Sequence, residues 1–352
     1  MATVIDLHAH QSAPARSHVE LDIAACFART RRSESDVFWL KENAELLNIN
    51  ECAGTRKSSD IFSSYGDFYD IVERRICFFR QYYRFLLSIC IDLEDLGFSG
   101  NKGEVICEWV RQENIDRSEL SDLQRAEVQR LLARRNMERS DPGLNDRLRD
   151  FMCQQSAFSL PNIKIAYELT HIVFYLSEYG RKDPQVPAAA LHSLKYAGLV
   201  AYLDQNMDLL AEICIALRFS GETPPKVWEE SLDASLRGYQ FLPNSFDGAQ
   251  DDYHAYFVGS WWAMVSGTGG MATTMPGPGT TISASAQNGV LKPLSVLLYE
   301  NAQLACRPWS MVRQQVLGQF WPQERQLMQE AESSVEDFAS FYQLFARAGV
   351  AG

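Results

Sequence analysis

The stretch YELTHIVFYLSEYG, residues 167–180, is apolar over most of its circumference yet carries Glu168, His171, Tyr175 and Glu178 at steps of three and four residues. That spacing places the four polar groups on one face of a helix. Ile165, Leu169, Ile172, Val173 and Leu176 fill the other faces, and a helix with so little polar surface belongs in an interior. Burying the polar stripe is costly unless its members are paired or ligate a metal. Two further segments share this texture: DLLAEICIALR (208–218) around Glu212, and DDYHAYFVGSWW (251–262) around His254.

His171, Glu212 and His254 are separated by 41 and 42 residues. Such an interval accommodates one inward helix, a turn, one outward helix and another turn. The apolar helices expected over 162–179, 206–219 and 251–267 alternate with more amphipathic ones over 187–203 and 225–241. Helical spacing holds almost throughout, with no series of alternating strands joined by hairpin turns. The expected fold is therefore all-α, with paired inner and outer helices as in an α/α toroid or solenoid.

The segment ERSDPGLND (138–146) mixes charge with Pro and Gly and marks a junction. It divides the chain into an N-terminal arm (1–18), an N-terminal helical region (19–140), which could stand as a separate helical half, and a C-terminal helical region (141–352) carrying the candidate site. One tract breaks the helical texture, SGTGGMATTMPGPGTTISASAQNG (266–289). A loop of that length reads as a mobile surface segment or as a lid. It lacks the GxxxxGK[ST] pattern of a phosphate cradle.

Two imidazoles and a carboxylate with open positions suit Fe(II) or a catalytic Zn(II). The expected metal ligands are His171, Glu212 and His254, with iron or zinc as the cofactor. Each has an acid one turn upstream, Glu168, Asp208 and Asp251 respectively. Glu168 and Asp251 are expected to orient the imidazoles or to bridge, and Tyr175 to act as an acid, a base or a substrate contact.

The same residues allow a dinuclear arrangement. Glu168-x-x-His171 and Asp251-x-x-His254 match the acid-x-x-His pairs of di-iron carboxylate proteins, in which further carboxylates come from other helices. Asp in the second pair departs from that pattern, and Glu42, Glu45, Asp92, Glu94 and Asp95 are equal candidates for the missing carboxylate. A third alternative is a non-catalytic interaction scaffold whose polar stripe is a satisfied buried hydrogen-bond network.

With 46% hydrophobic and 22% charged residues over 352 positions, the composition is that of an ordinary globular protein. A formal charge of -12 argues against general affinity for nucleic acid or anionic lipid. No apolar run approaches the roughly 18 residues of a membrane span, and the opening residues have no secretory pattern. The eight cysteines are scattered without a CxxC pair, which fits reduced thiols in a cytoplasmic protein.

Two motifs carry weaker signals. VIDLHAH (4–10) resembles the strand-plus-HxH signature of metal-dependent amidohydrolases, but the rest of the chain supplies neither their barrel nor their later histidines. RRICFFRQYYRFLLSIC (74–90) interleaves arginines with aromatics as some single-strand binders do, although its helical spacing reads first as a core stripe flanked by solvated arginines.

The segments DVFWLKENAELLNINECAG (36–54), FRQYYRFLLSICIDLEDLG (79–97), ELSDLQRAEVQRLLARR (119–135) and YELTHIVFYLSEYG (167–180) resemble those of an uncharacterised family of helical proteins from marine and photosynthetic alphaproteobacteria. The resemblance spans most of residues 25–240 and implies a bacterial cytoplasmic setting without an activity. The residues themselves lead to a metal-dependent enzyme acting on a small molecule, an oxygenase with iron or a hydrolase with zinc. The substrate and the oligomeric state are left open.

Overall fold

A computed structural model describes residues 20–54 and 59–347. Helices dominate, and the four short strands form two antiparallel pairs: Leu21–Asp22 with Thr274–Met275, and Gln240–Leu242 with Thr281–Ser283. The N-terminal arm and the VIDLHAH motif lie outside the described residues.

Local chemistry sets the helix ends. Asp36, Ser121, Asn162 and Asn206 each accept a backbone N–H from the first turn of the helix they precede, offsetting donors that have no partner within the helix. The His171 helix (Ile163–Leu176) stops before Gly180. Glu178, Tyr179 and Gly180 then adopt three successive left-handed conformations, with φ of 48°, 53° and 84°.

Two apolar cores form. One gathers Trp39, Phe68, Leu86 and Leu132, and the other is built around Leu210, Ile213, Phe257 and Trp262. The helices Val37–Cys52 and Asp122–Ala133 serve both. Leu47 and Val128 point into the first core, while Leu46, Ile49 and Ala126 point into the second. The seam between the cores is thus lined by these two helices, and the candidate site lies along it.

The Glu212 helix (Met207–Phe219) is the centre of the second core, packed against the His171 helix, the His254 helix (Tyr253–Ser266), Ala188–Asp204 and Lys226–Arg237. Nine of its thirteen residues are buried, and each large aliphatic side chain among them contributes on the order of 1.5–3 kcal/mol by leaving water. The helix over 187–203 is not the half-exposed outer helix its sequence suggests. Ala188–Asp204 is buried along most of its length because the helices Leu291–Glu300 and Pro322–Ser334 cover its far side. Gly198 is required there: a Cβ would stand 2.4 Å from the Trp228 ring.

The 266–289 tract is neither a free loop nor a lid. Its two strands pair back to the body, Met275, Thr280 and Ile282 are buried, and none of its residues lines the cavity described below.

Candidate metal centre

Asp208, Glu212 and His254 each offer a ligand atom, and the three atoms lie within 4.8 Å of one another. Asp208 and Glu212 stand one turn apart on the largely buried helix Met207–Phe219, and His254 enters from the adjacent helix. Every member is held by a separate partner. Tyr167 Oη donates to Asp208 Oδ2 at 2.6 Å, Thr170 Oγ1 donates to Glu212 Oε2 at 2.5 Å, and His254 Nδ1 meets Glu45 Oε2 at 2.9 Å. His254 Nε2 faces Asp208 Oδ2 at 3.4 Å. Asp208 Oδ1, by contrast, is buried without a hydrogen-bond partner among the described residues.

The electrostatics follow from crowding acids in a dry place. Burial works against charge on His254, but Glu45, Asp208 and Glu212 outweigh it and raise the imidazole to about 9, so in the metal-free protein it is an imidazolium spanning two carboxylates. Burial lifts the Glu212 carboxyl above its usual range; His171 pulls against that shift and Asp208 adds to it. Burial, reinforced by Asp208, likewise raises the Tyr167 phenol and keeps it a donor.

His171 is adjacent rather than central. Its Nδ1 donates to the Tyr167 carbonyl at 2.8 Å and lies 3.7 Å from Glu212 Oε2. A carbonyl can only accept, so Nδ1 carries a proton and Nε2 is the ring nitrogen left free of this contact. The expected trio of His171, Glu212 and His254 is therefore only partly gathered: Asp208 stands where His171 was expected.

Asp251 is elsewhere. Its Oδ1 and Oδ2 accept Arg31 Nη2 and Nη1 at 2.8 and 3.0 Å, and Oδ2 also takes the Ile282 N–H at 2.8 Å. The expectation that it orients His254 fails because Glu45 holds that ring nitrogen and because a buried guanidinium has claimed Asp251. The five acids that sequence could not rank are also sorted. Glu42 pairs with Arg31 and Arg32, Asp92 and Asp95 with Arg134, Glu94 with Arg135, and Glu45 with His254.

A cavity of about 510 Å³ adjoins the cluster, in the range of small-molecule sites. Glu212, His254, Glu168 and His171 line it together with the aromatic side chains of Phe174, Tyr175 and Trp261. Burial, with Glu127 next in effect, pushes the Tyr175 phenol well up, so it can donate a hydrogen bond but does not ionise near neutrality. Glu45, Glu127 and Arg130 come from the N-terminal region, so the site is not confined to 141–352. Asp208 and Thr170 were legible as polar residues on apolar helices. Glu45 and Arg130 carried no distinguishing signal, because their neighbours across the seam lie far away in sequence.

The family model described as a domain of unknown function (DUF6902) matches residues 1–348, and the chain belongs to that family. No curated protein and no solved structure matches it.

Proposed function

We propose that this protein is a metal-dependent enzyme in which Asp208, Glu212 and His254 hold one iron or zinc ion at the end of a cavity that takes a small organic molecule. The observation that carries the reading is the buried, unpartnered Asp208 Oδ1 beside a second carboxylate and an imidazole. Leaving such an atom without a partner costs free energy, and a cation shared by all three groups would remove that cost. The outer hydrogen bonds fit the same role. A metal-bound histidine commonly gives its other N–H to a carboxylate, as His254 does to Glu45 through Nδ1.

When bound, the ion would supply Lewis acidity and a lowered pKa for a coordinated water, or oxygen chemistry if it is iron. The chain's own residues supply the rest. The Tyr167 carbonyl holds the Nδ1 proton of His171, which leaves Nε2 as the nitrogen for proton transfer. Tyr175 donates to a substrate oxygen, and the aromatic wall excludes water. Glu168 lines the cavity on the same helix face, where it could bind substrate or relay a proton. The engagement of Asp251 by Arg31 favours one ion over two, since it removes half of the second acid-x-x-His pair.

A competing reading is an interaction scaffold in which a proton, not a metal, neutralises the cluster. The raised His254 imidazole is the observation that favours it. Metal analysis of natively purified protein separates the two. We expect close to one equivalent of iron or zinc per chain, lost in Asp208→Asn and in His254→Ala. A content under about 0.2 equivalents, the same in both variants, removes the metal reading, because a three-ligand site of this kind should bind far more tightly.

A further inference from the structure

Arg130 lies on the Asp122–Ala133 helix, where it lines the candidate site's cavity together with Tyr175 and Tyr179 and borders a neighbouring one of about 690 Å³ lined by Glu178 and Lys182. It is 5% exposed, yet its Nε and Nη2 have no hydrogen-bond partner. Its guanidinium stacks 4.2 Å from the Tyr179 ring centroid. Glu178 Oε2 approaches Nε at 3.2 Å, close enough for charge attraction but without the alignment of a hydrogen bond. The other cavity arginine is differently placed, for Arg84 is held by both Glu119 and Glu127.

The backbone invests in this arrangement. Glu178 and Tyr179, the two residues that face Arg130, are consecutive non-glycine residues at positive φ. Left-handed conformations outside glycine and asparagine are unfavourable and cluster where a particular side-chain placement matters. The turn brings a carboxylate and a ring to the guanidinium and still leaves Nε and Nη2 without a hydrogen bond among the described residues. That edge is one of the two that can grip a carboxylate through two parallel N–H bonds.

We infer that Arg130 is the substrate-anion site of this cavity, so that the enzyme's substrate is a carboxylic acid with an apolar or aromatic body. This deepens the metal-enzyme reading and rests on it for calling the anion a substrate. The carboxylate of the ligand takes the Nε–Nη2 edge and displaces Glu178, which keeps its contact with Lys182. Phe174, Tyr175 and Trp261 hold the body between that anchor and the Asp208, Glu212 and His254 cluster.

The test uses the full-length metal-free protein, so that it does not depend on the ion. Phenylacetate and its neutral counterpart phenylacetamide are titrated calorimetrically at fixed ionic strength, alongside benzoate and benzamide. We expect each carboxylate to bind about tenfold or more tightly than its amide, a preference lost in Arg130→Met. Glu178→Gln, which removes the competing carboxylate and leaves Arg130 in place, should strengthen carboxylate binding several-fold. Equal binding of acid and amide, unchanged binding in Arg130→Met, weaker binding in Glu178→Gln, or no binding of either acid overturns the assignment. Metal content is read separately. A carboxylate-selective protein without metal would sink only the metal reading, and a metal-loaded protein indifferent to carboxylates would sink only this one.

Discussion

Two acidic clusters lie on either side of the start of the His254 helix, and they are built on opposite principles. In the first, Arg31 lies between Glu42 and Asp251, with side chains that are almost wholly buried. Every carboxylate oxygen there meets a guanidinium nitrogen, and the Thr280 carbonyl and Ile282 N–H close the remaining positions. In the second, Asp208 and Glu212 face one another across a single imidazole, and one oxygen has no partner at all. Arg31 and Arg32 together match the charges of Glu42 and Asp251, whereas in the second cluster a single imidazole faces both Glu45 and Asp208, with Glu212 beside them. The first ties the N-terminal region to the 266–289 tract; the second leaves a buried carboxylate oxygen without a hydrogen bond among the described residues.

The sharpest way to break this contrast is Arg31→Met. It leaves Asp251 buried without its guanidinium and Glu42 with Arg32 alone, and removing one partner of such a pair costs roughly 3–5 kcal/mol. Urea denaturation should show that loss. A change under about 1 kcal/mol would mean that the first cluster is not the structural clamp its hydrogen bonds describe.

A smaller effect tests the second cluster. Glu45→Gln keeps the shape of the side chain but weakens its hold on His254 Nδ1, so affinity for the metal should fall by about 10- to 100-fold while the fold is retained. Metal affinity equal to that of the unaltered protein, measured by competition with a chelator, would show that Glu45 does not orient the ligand.

The smallest expected effect is on pH dependence. In the metal-free protein the His254 imidazole titrates near 9, above the ordinary 6.5, because the attraction of Glu45 and its neighbours overcomes burial. The folded state therefore binds this proton more tightly than the unfolded chain does. Its contribution to stability is complete below about 6.5 and disappears as pH rises through 9. Thermal melts of metal-free protein between pH 6 and 9.5 should show a falling Tm that is flattened in His254→Asn. An unchanged slope in that variant would place the titration elsewhere.

Much of the architecture was readable in the chain because helical periodicity is a local property. The apolar faces of 162–179, 206–219 and 251–267 identified interior helices, and Glu212 and His254 stood out as polar groups without a solvated face to occupy. Asp208, one turn before Glu212, was visible as an upstream acid but not as a ligand. The amphipathic reading of 187–203 failed for a different reason. Whether a moderately polar helix is exposed depends on what is laid over it, and the covering helices begin about ninety residues later.

The pairing of acids with partners was not readable. Glu42 and Glu45 are three residues apart on one helix, yet one serves the Arg31 clamp and the other His254. The choice turns on a rotation of roughly 300° along the helix and on which distant helix meets each face. Asp251 and Asp208 were interchangeable as upstream acids until Arg31, 220 residues from Asp251, claimed one of them.

By itself, then, the sequence determined that the protein is helical, that three of its helices are interior, and that those three carry ligand-capable groups. Hydrophobic periodicity is enough for that, since burial of an apolar face is decided within a few turns. Only the tertiary structure decided that Asp208 joins Glu212 and His254, that Glu45 meets the imidazole, and that Arg130 lines the same cavity with two nitrogens lacking a hydrogen bond among the described residues. Those are relations between charges on different helices, and their energies depend on distance and burial, which no local pattern encodes.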